Sequence, residues 1–141
     1  MKFLTAILFV LITSTSAYAA ESYSTSVSNQ SNEPWFIQRV LAYPSAEGTR
    51  VSGRVTAAKQ MGIIDGHVDV VALSPEGKKI TETTIALSTD TLTRQRKMKG
   101  GVRFSANIPQ QLPANSRVKL SFHKNTPAVE NAPMHASNIA N

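Results

Sequence analysis

Asp65, His67 and Asp69 stand two residues apart, and theirs are the first residue types in this chain that could do chemistry together. On a strand, residues i, i+2 and i+4 share one face, with roughly 7 Å between successive side-chain origins. Such a face can bind a divalent ion, or it can let Asp69 orient His67 as a base. His123, Met134 and His135 extend the metal option, because imidazole and thioether suit copper in an oxidising compartment. The plainer reading gives Asp65 to an Asp-Gly turn and Asp69 to the solvated side of a strand. A metal-binding carrier using His67 and Asp69, or Met134 and His135, is therefore the alternative expectation and not the first. No activated nucleophile accompanies these groups. Cys is absent, no Ser sits in a Gly-x-Ser-x-Gly turn, and neither a Walker-type loop nor an HExxH pair occurs. The expectation is a non-enzymatic protein that needs no cofactor.

Cations are the denser signal. Arg94, Arg96, Lys97 and Lys99 fall within six residues, Gly100-Gly101 and Arg103 follow, and Arg117 and Lys119 lie on the next segment. No acid occurs between Thr91 and Lys124. The planar fork of Arg can hold phosphate or carboxylate through two parallel hydrogen bonds. If Arg103, Arg117 and Lys119 share the solvent side of one hairpin, they join the preceding loop in a single cationic surface. The same residues would also serve solubility and keep an exposed strand from pairing with a neighbour.

The elements that must position these groups read as strands. Val102, Phe104, Ala106 and Ile108 alternate with Arg103, Ser105 and Asn107, and Val118, Leu120 and Phe122 alternate with Arg117, Lys119, Ser121 and His123. A period of two puts each apolar set on one face. With Pro109, Pro113 and Asn115 between them, the two segments are expected to form a β-hairpin with one oily and one basic face. Upstream, Arg50–Thr56 alternates, and Gly53 within it suggests a bulge or close approach by a bulky neighbour such as Trp35. His67–Leu73 and Lys78–Leu87 have high β-propensity, and Ser74-Pro75-Glu76-Gly77 between them suits a type I turn. Trp35–Leu41 suits a first strand or a short helix, with Trp35 plugging the core. Short strands flagged by Pro, Gly, Asn and Asp, with no helical period, predict an all-β antiparallel β-sandwich of immunoglobulin or fibronectin type III style. A small barrel is the alternative.

The first residues set the expected location. Lys2 precedes an apolar run, Phe3 to Ile12, and a small polar stretch leads to Ala17-Tyr18-Ala19. This is the layout of a secretory signal peptide, and ten apolar residues span only about 15 Å of helix, half a bilayer core. The expected division is signal peptide 1–19, flexible leader 20–33, sandwich domain 34–124 and disordered tail 125–141. Fifteen Lys and Arg against nine Asp and Glu give +6, and loss of Lys2 with the signal leaves +5. Cleavage near Ala19, no anchor and no Cys fit a bacterial periplasmic or secreted protein. The expected partner is an envelope protein or an anionic envelope component. Nucleic acid is not expected, nor is a membrane span in the mature chain.

Overall fold

A computed structural model describes residues 21–125 of the chain. The expected signal peptide and all of the expected tail past Asn125, with Met134 and His135, lie outside the described residues. Nine strands and one short helix follow one another: β1 (Ser24–Ser28), β2 (Trp35–Ser45), β3 (Gly48–Ala57), β4 (Gly62–Ile63), β5 (Gly66–Leu73), β6 (Lys79–Ala86), β7 (Thr91–Leu92), α1 (Arg94–Met98), β8 (Val102–Ile108) and β9 (Arg117–Lys124). They form a four-stranded sheet in the order β1-β9-β5-β6, a three-stranded sheet β2-β3-β8 and a small pair β4-β7. All pairings are antiparallel except β1 with β9. The architecture is that of a mostly β domain, roughly a sandwich.

One apolar cluster holds the two larger sheets together. The three-stranded sheet contributes Trp35, Ile37, Val51, Val55, Val102, Phe104 and Ile108, and the four-stranded sheet contributes Val68, Val70, Val118, Leu120 and Phe122. Each sheet lays a phenylalanine over a glycine of the neighbouring strand. Gly53 is the cross-strand partner of Phe104, and a Cβ on it would sit 2.6 Å from Phe104 Cζ. Gly66 is covered in the same way by Phe122. The close approach expected at Gly53 is real, but the bulky neighbour is Phe104 and not Trp35. The bulge lies in β2 instead, where pairing shifts between Gln38 and Leu41 and Arg39 takes φ 54°.

Three sequence expectations need correction. β8 and β9 alternate as read, but they do not form a hairpin: β8 pairs with β3, and β9 pairs with β5 and β1. The alternation fixes which face of a strand is oily, not which strand lies beside it. The two oily faces meet across the core, so the intervening loop carries the chain from one sheet to the other. That loop is pinned by Thr49, whose hydroxyl donates to Gln110 O (3.0 Å) and accepts from Leu112 N (3.3 Å). Second, the expected leader contains β1. Its Ser-Thr-Ser-Val-Ser run offers only Val27 to the core, so backbone pairing with β9 carries most of its attachment. Tyr23 N donates to Ala42 O (2.8 Å), and the Asn29 amide bonds both backbone polar groups of Ile37, tying this strand to β2 as well. Third, a helix of five residues, α1, begins at Thr93, whose hydroxyl accepts from Arg96 N (3.2 Å). None of its residues is buried, which is why no apolar period announced it.

Phe104 has 3 % of its surface exposed and spans the space above Gly53. Phe104→Ala should cost about 3–5 kcal/mol, a large part of the stability of such a domain. Urea unfolding of the two proteins checks this. A midpoint shift worth less than about 1 kcal/mol would mean that the site collapses around the missing ring.

Candidate functional site

The outer face of the three-stranded sheet is built by alternation. Val51, Gly53 and Val55 face the core, so Arg50, Ser52 and Arg54 face outward; on β8, Arg103, Ser105 and Asn107 do the same. Register then makes three rows across the sheet: Gln38–Arg54–Arg103, Leu41–Ser52–Ser105, and Tyr43–Arg50–Asn107. Arg54 and Arg103 are direct cross-strand partners. Like charges directly opposite one another destabilise a sheet, and none of the three strands carries an Asp or Glu to offset them.

The arginines are held in place by the sheet itself. Arg50 Nε donates to Ser105 Oγ (3.2 Å) and Arg54 Nη1 donates to Gly101 O (2.9 Å). Gln38 Nε2 donates to the adjoining Gly100 O (2.7 Å), and the Arg39 guanidinium lies against Gly100. Tyr43, Arg50, Ser52, Arg103 and Ser105 line a shallow hollow of about 290 Å³. Leu41 and Tyr43 are exposed beside it, at 57 % and 36 %.

Of the cations singled out in sequence, Arg103 stands on this face. Arg94, Arg96, Lys97 and Lys99 lie on α1 and its C-terminal cap, which leads through Gly100 to the start of β8. Arg96 binds Asp90 Oδ1 (3.3 Å) and Thr91 O (3.1 Å), and Lys97 Nζ binds Ala58 O (2.6 Å) just past the end of β3. These four therefore border the Arg54–Arg103 end of the sheet. Arg117 and Lys119 do not join them. They lie on β9, on the outer face of the other sheet, because β8 and β9 are not neighbours. The single surface expected from the hairpin is split between opposite faces of the sandwich. Arg50, Arg54 and Tyr43 take the place of Arg117 and Lys119, and only the β3–β8 pairing brings them to Arg103.

The outer face of the four-stranded sheet carries the other candidate. His67 and His123 are cross-strand partners, with ring centroids 5.8 Å apart and planes 23° from parallel. Asp69 is 2 % exposed, not on a solvated side as the plainer reading had it. Its Oδ1 accepts from Thr84 Oγ1 (2.7 Å), while its Oδ2 takes no hydrogen bond and lies 3.7 Å from His67 Nε2 and 3.6 Å from His123 Nε2. Asp65 is not a third member. It accepts from Asn125 Nδ2 (3.0 Å), and Asn125 Oδ1 then faces His67 Nδ1 at 3.0 Å. A carboxylate can only accept, so this amide orientation makes His67 Nδ1 the donor and leaves Nε2 as the ring nitrogen facing Asp69. His123 joins the cluster only through the β5–β9 register. Among the described residues, no group of three or more His, Cys, Asp and Glu side chains is arranged to hold a metal ion as it stands. No helix among them is long and apolar enough to cross a membrane. No family model, curated protein or solved structure matches the chain.

The Arg54–Arg103 pairing carries its own test. Arg103→Glu sets opposite charges across the strands and should raise stability by about 0.2–1 kcal/mol at low salt. Thermal unfolding at low and high salt measures it, and the gain should shrink as salt rises. A loss of stability would show that the two guanidiniums do not repel at this site.

Proposed function

We propose that this protein is an exported, non-enzymatic β-sandwich module, of immunoglobulin or fibronectin type III style, that binds an anionic partner. The binding surface is the outer face of β2-β3-β8, bordered by the cations of α1. One observation carries this reading: Arg54 and Arg103 are paired in register, with Arg50 on the same face and no acid on any of the three strands. Like charges placed opposite one another cost a sheet stability, whereas an anion bound on this face gains charge-assisted hydrogen bonds from its arginines. Orientation of Arg50 and Arg54 by bonds to the sheet lowers the ordering cost of binding. The signal-like N-terminal sequence, with its cleavage site near Ala19, supports export, and on that reading an envelope protein or anionic envelope component is the natural partner.

Replacing Arg50 and Arg103 together by Glu should abolish capture of the anionic partner while the protein still unfolds cooperatively, since exposed charge changes move stability by only about 0.5–1 kcal/mol. Wild-type binding should weaken as salt rises, and the double variant should show no such dependence. A folded double variant that captures the partner with an unchanged salt response would remove this face from the function.

A second reading has its own observation, the buried Asp69 Oδ2 with two imidazole Nε2 atoms 3.6 and 3.7 Å away. Ligands of a tetrahedral ion with bonds near 2.1 Å lie about 3.4 Å apart, so small turns of the rings would bring these donors around zinc or copper. On this reading, titration of the mature chain with Zn²⁺ or Cu²⁺ should give one site per chain, weakened at least tenfold by His123→Gln. Binding that His123→Gln leaves unchanged would dismiss the cluster as a metal site.

A further inference from the structure

Resting on the basic-face reading, we infer that the ligand of this surface is an acidic oligosaccharide. The inference comes from what converges over the middle row of the sheet. Leu41, Ser52 and Ser105 carry no charge of their own. Arg50, from the third row, reaches them through Nε, which bonds Ser105 Oγ (3.2 Å), and Arg50 and Arg103 line one hollow with Tyr43, Ser52 and Ser105. Two arginines, two hydroxyls and an aromatic ring at one place suit an anionic group carried on a polyhydroxylated ring. A ligand that is only an array of anions would leave the hydroxyls and the ring unused.

The side chains of the hollow fit a sugar in kind. Tyr43 forms one wall of the 290 Å³ hollow and presents part of its ring to solvent, and the exposed Leu41 lies next along β2. Such a wall suits the apolar C–H side of a sugar ring, while Ser52 and Ser105 on the floor can donate to or accept from its hydroxyls. Arg50 uses Nε on Ser105 Oγ. Its two terminal amino groups can then close on one carboxylate or sulfate. The hollow is at the small end of ligand pockets, which fits one sugar of a longer chain running over an open face.

The test uses the mature chain and four probes: an oligosaccharide of alternating uronic acid and neutral amino sugar, a neutral glucan, inorganic polyphosphate, and phosphatidylglycerol vesicles. Calorimetry should show binding to the acidic oligosaccharide at least tenfold tighter than to polyphosphate at equal charge, and none to the neutral glucan. Tyr43→Ala should weaken the oligosaccharide at least tenfold and leave polyphosphate unchanged, whereas Tyr43→Phe should keep most of the affinity. Backbone amide shifts of Ser52 and Ser105 should move with the oligosaccharide, which reports on the hollow even if Tyr43→Ala folds poorly. Equal affinity for polyphosphate, with Tyr43→Ala silent, would overturn the sugar inference and leave the basic face standing. Preference for vesicles would overturn it in favour of a lipid surface. Absence of binding to every anionic probe would overturn both.

Discussion

Two phenylalanines laid over two glycines set the geometry on which the rest of this molecule depends. Phe104 fills the space above Gly53 in one sheet, and Phe122 does the same above Gly66 in the other. Neither glycine can gain a side chain without displacing a buried ring, and a slip of one residue in either strand would turn its ring out to solvent. Each ring thereby locks one register. The β3–β8 register puts Arg54 opposite Arg103, and the β5–β9 register puts His67 opposite His123. Both candidate sites are therefore by-products of core packing, placed on the outer faces by the same alternation that buries the rings.

The two outer faces handle charge in opposite ways. On the three-stranded sheet, arginines occupy neighbouring positions with no acid among them, and Arg50 and Arg54 are steadied by the neutral oxygens of Ser105 and Gly101. On the four-stranded sheet, an acid is sunk beneath two imidazoles, with Thr84 bonding one oxygen, and next to it Val71 and Leu73 are fully buried although they lie on the side away from the main core. An open cationic face is suited to a ligand that arrives from solvent. A covered carboxylate is suited to a small ion, or to holding β5, β6 and β9 together.

Strand character was legible in this sequence because it depends on neighbours two residues apart. The outward sets Arg50–Ser52–Arg54 and Arg103–Ser105–Asn107 were readable, as was the inward placing of Phe104 and Phe122. Pairing was not, because alternation is the same whichever strand lies alongside. That one gap assigned Arg117 and Lys119 to the wrong face, left Arg50 and Arg54 out of the site and hid His123 from Asp69. β1 escaped notice for a different reason. Its side chains are nearly all hydroxyls, and a strand held mainly through its backbone leaves little trace in composition. Asp65 misled because it is close in sequence to His67, but it reaches the ring only through Asn125.

The parallel seam between β1 and β9 joins nearly the first described residues to the last: Ser24 is the partner of Arg117 and Ser28 of Ser121. Closing so long a loop carries a large entropic cost, and contacts this distant form late. A chain delivered from its N-terminus thus presents β1 long before β9 exists to receive it. Until residue 121 has emerged, the four-stranded sheet lacks the strand that joins β1 to β5, and the core has one side uncovered. The domain cannot be completed piece by piece as it is delivered. It must wait, open along one edge, for β9, and in that interval it is most exposed to pairing with other chains.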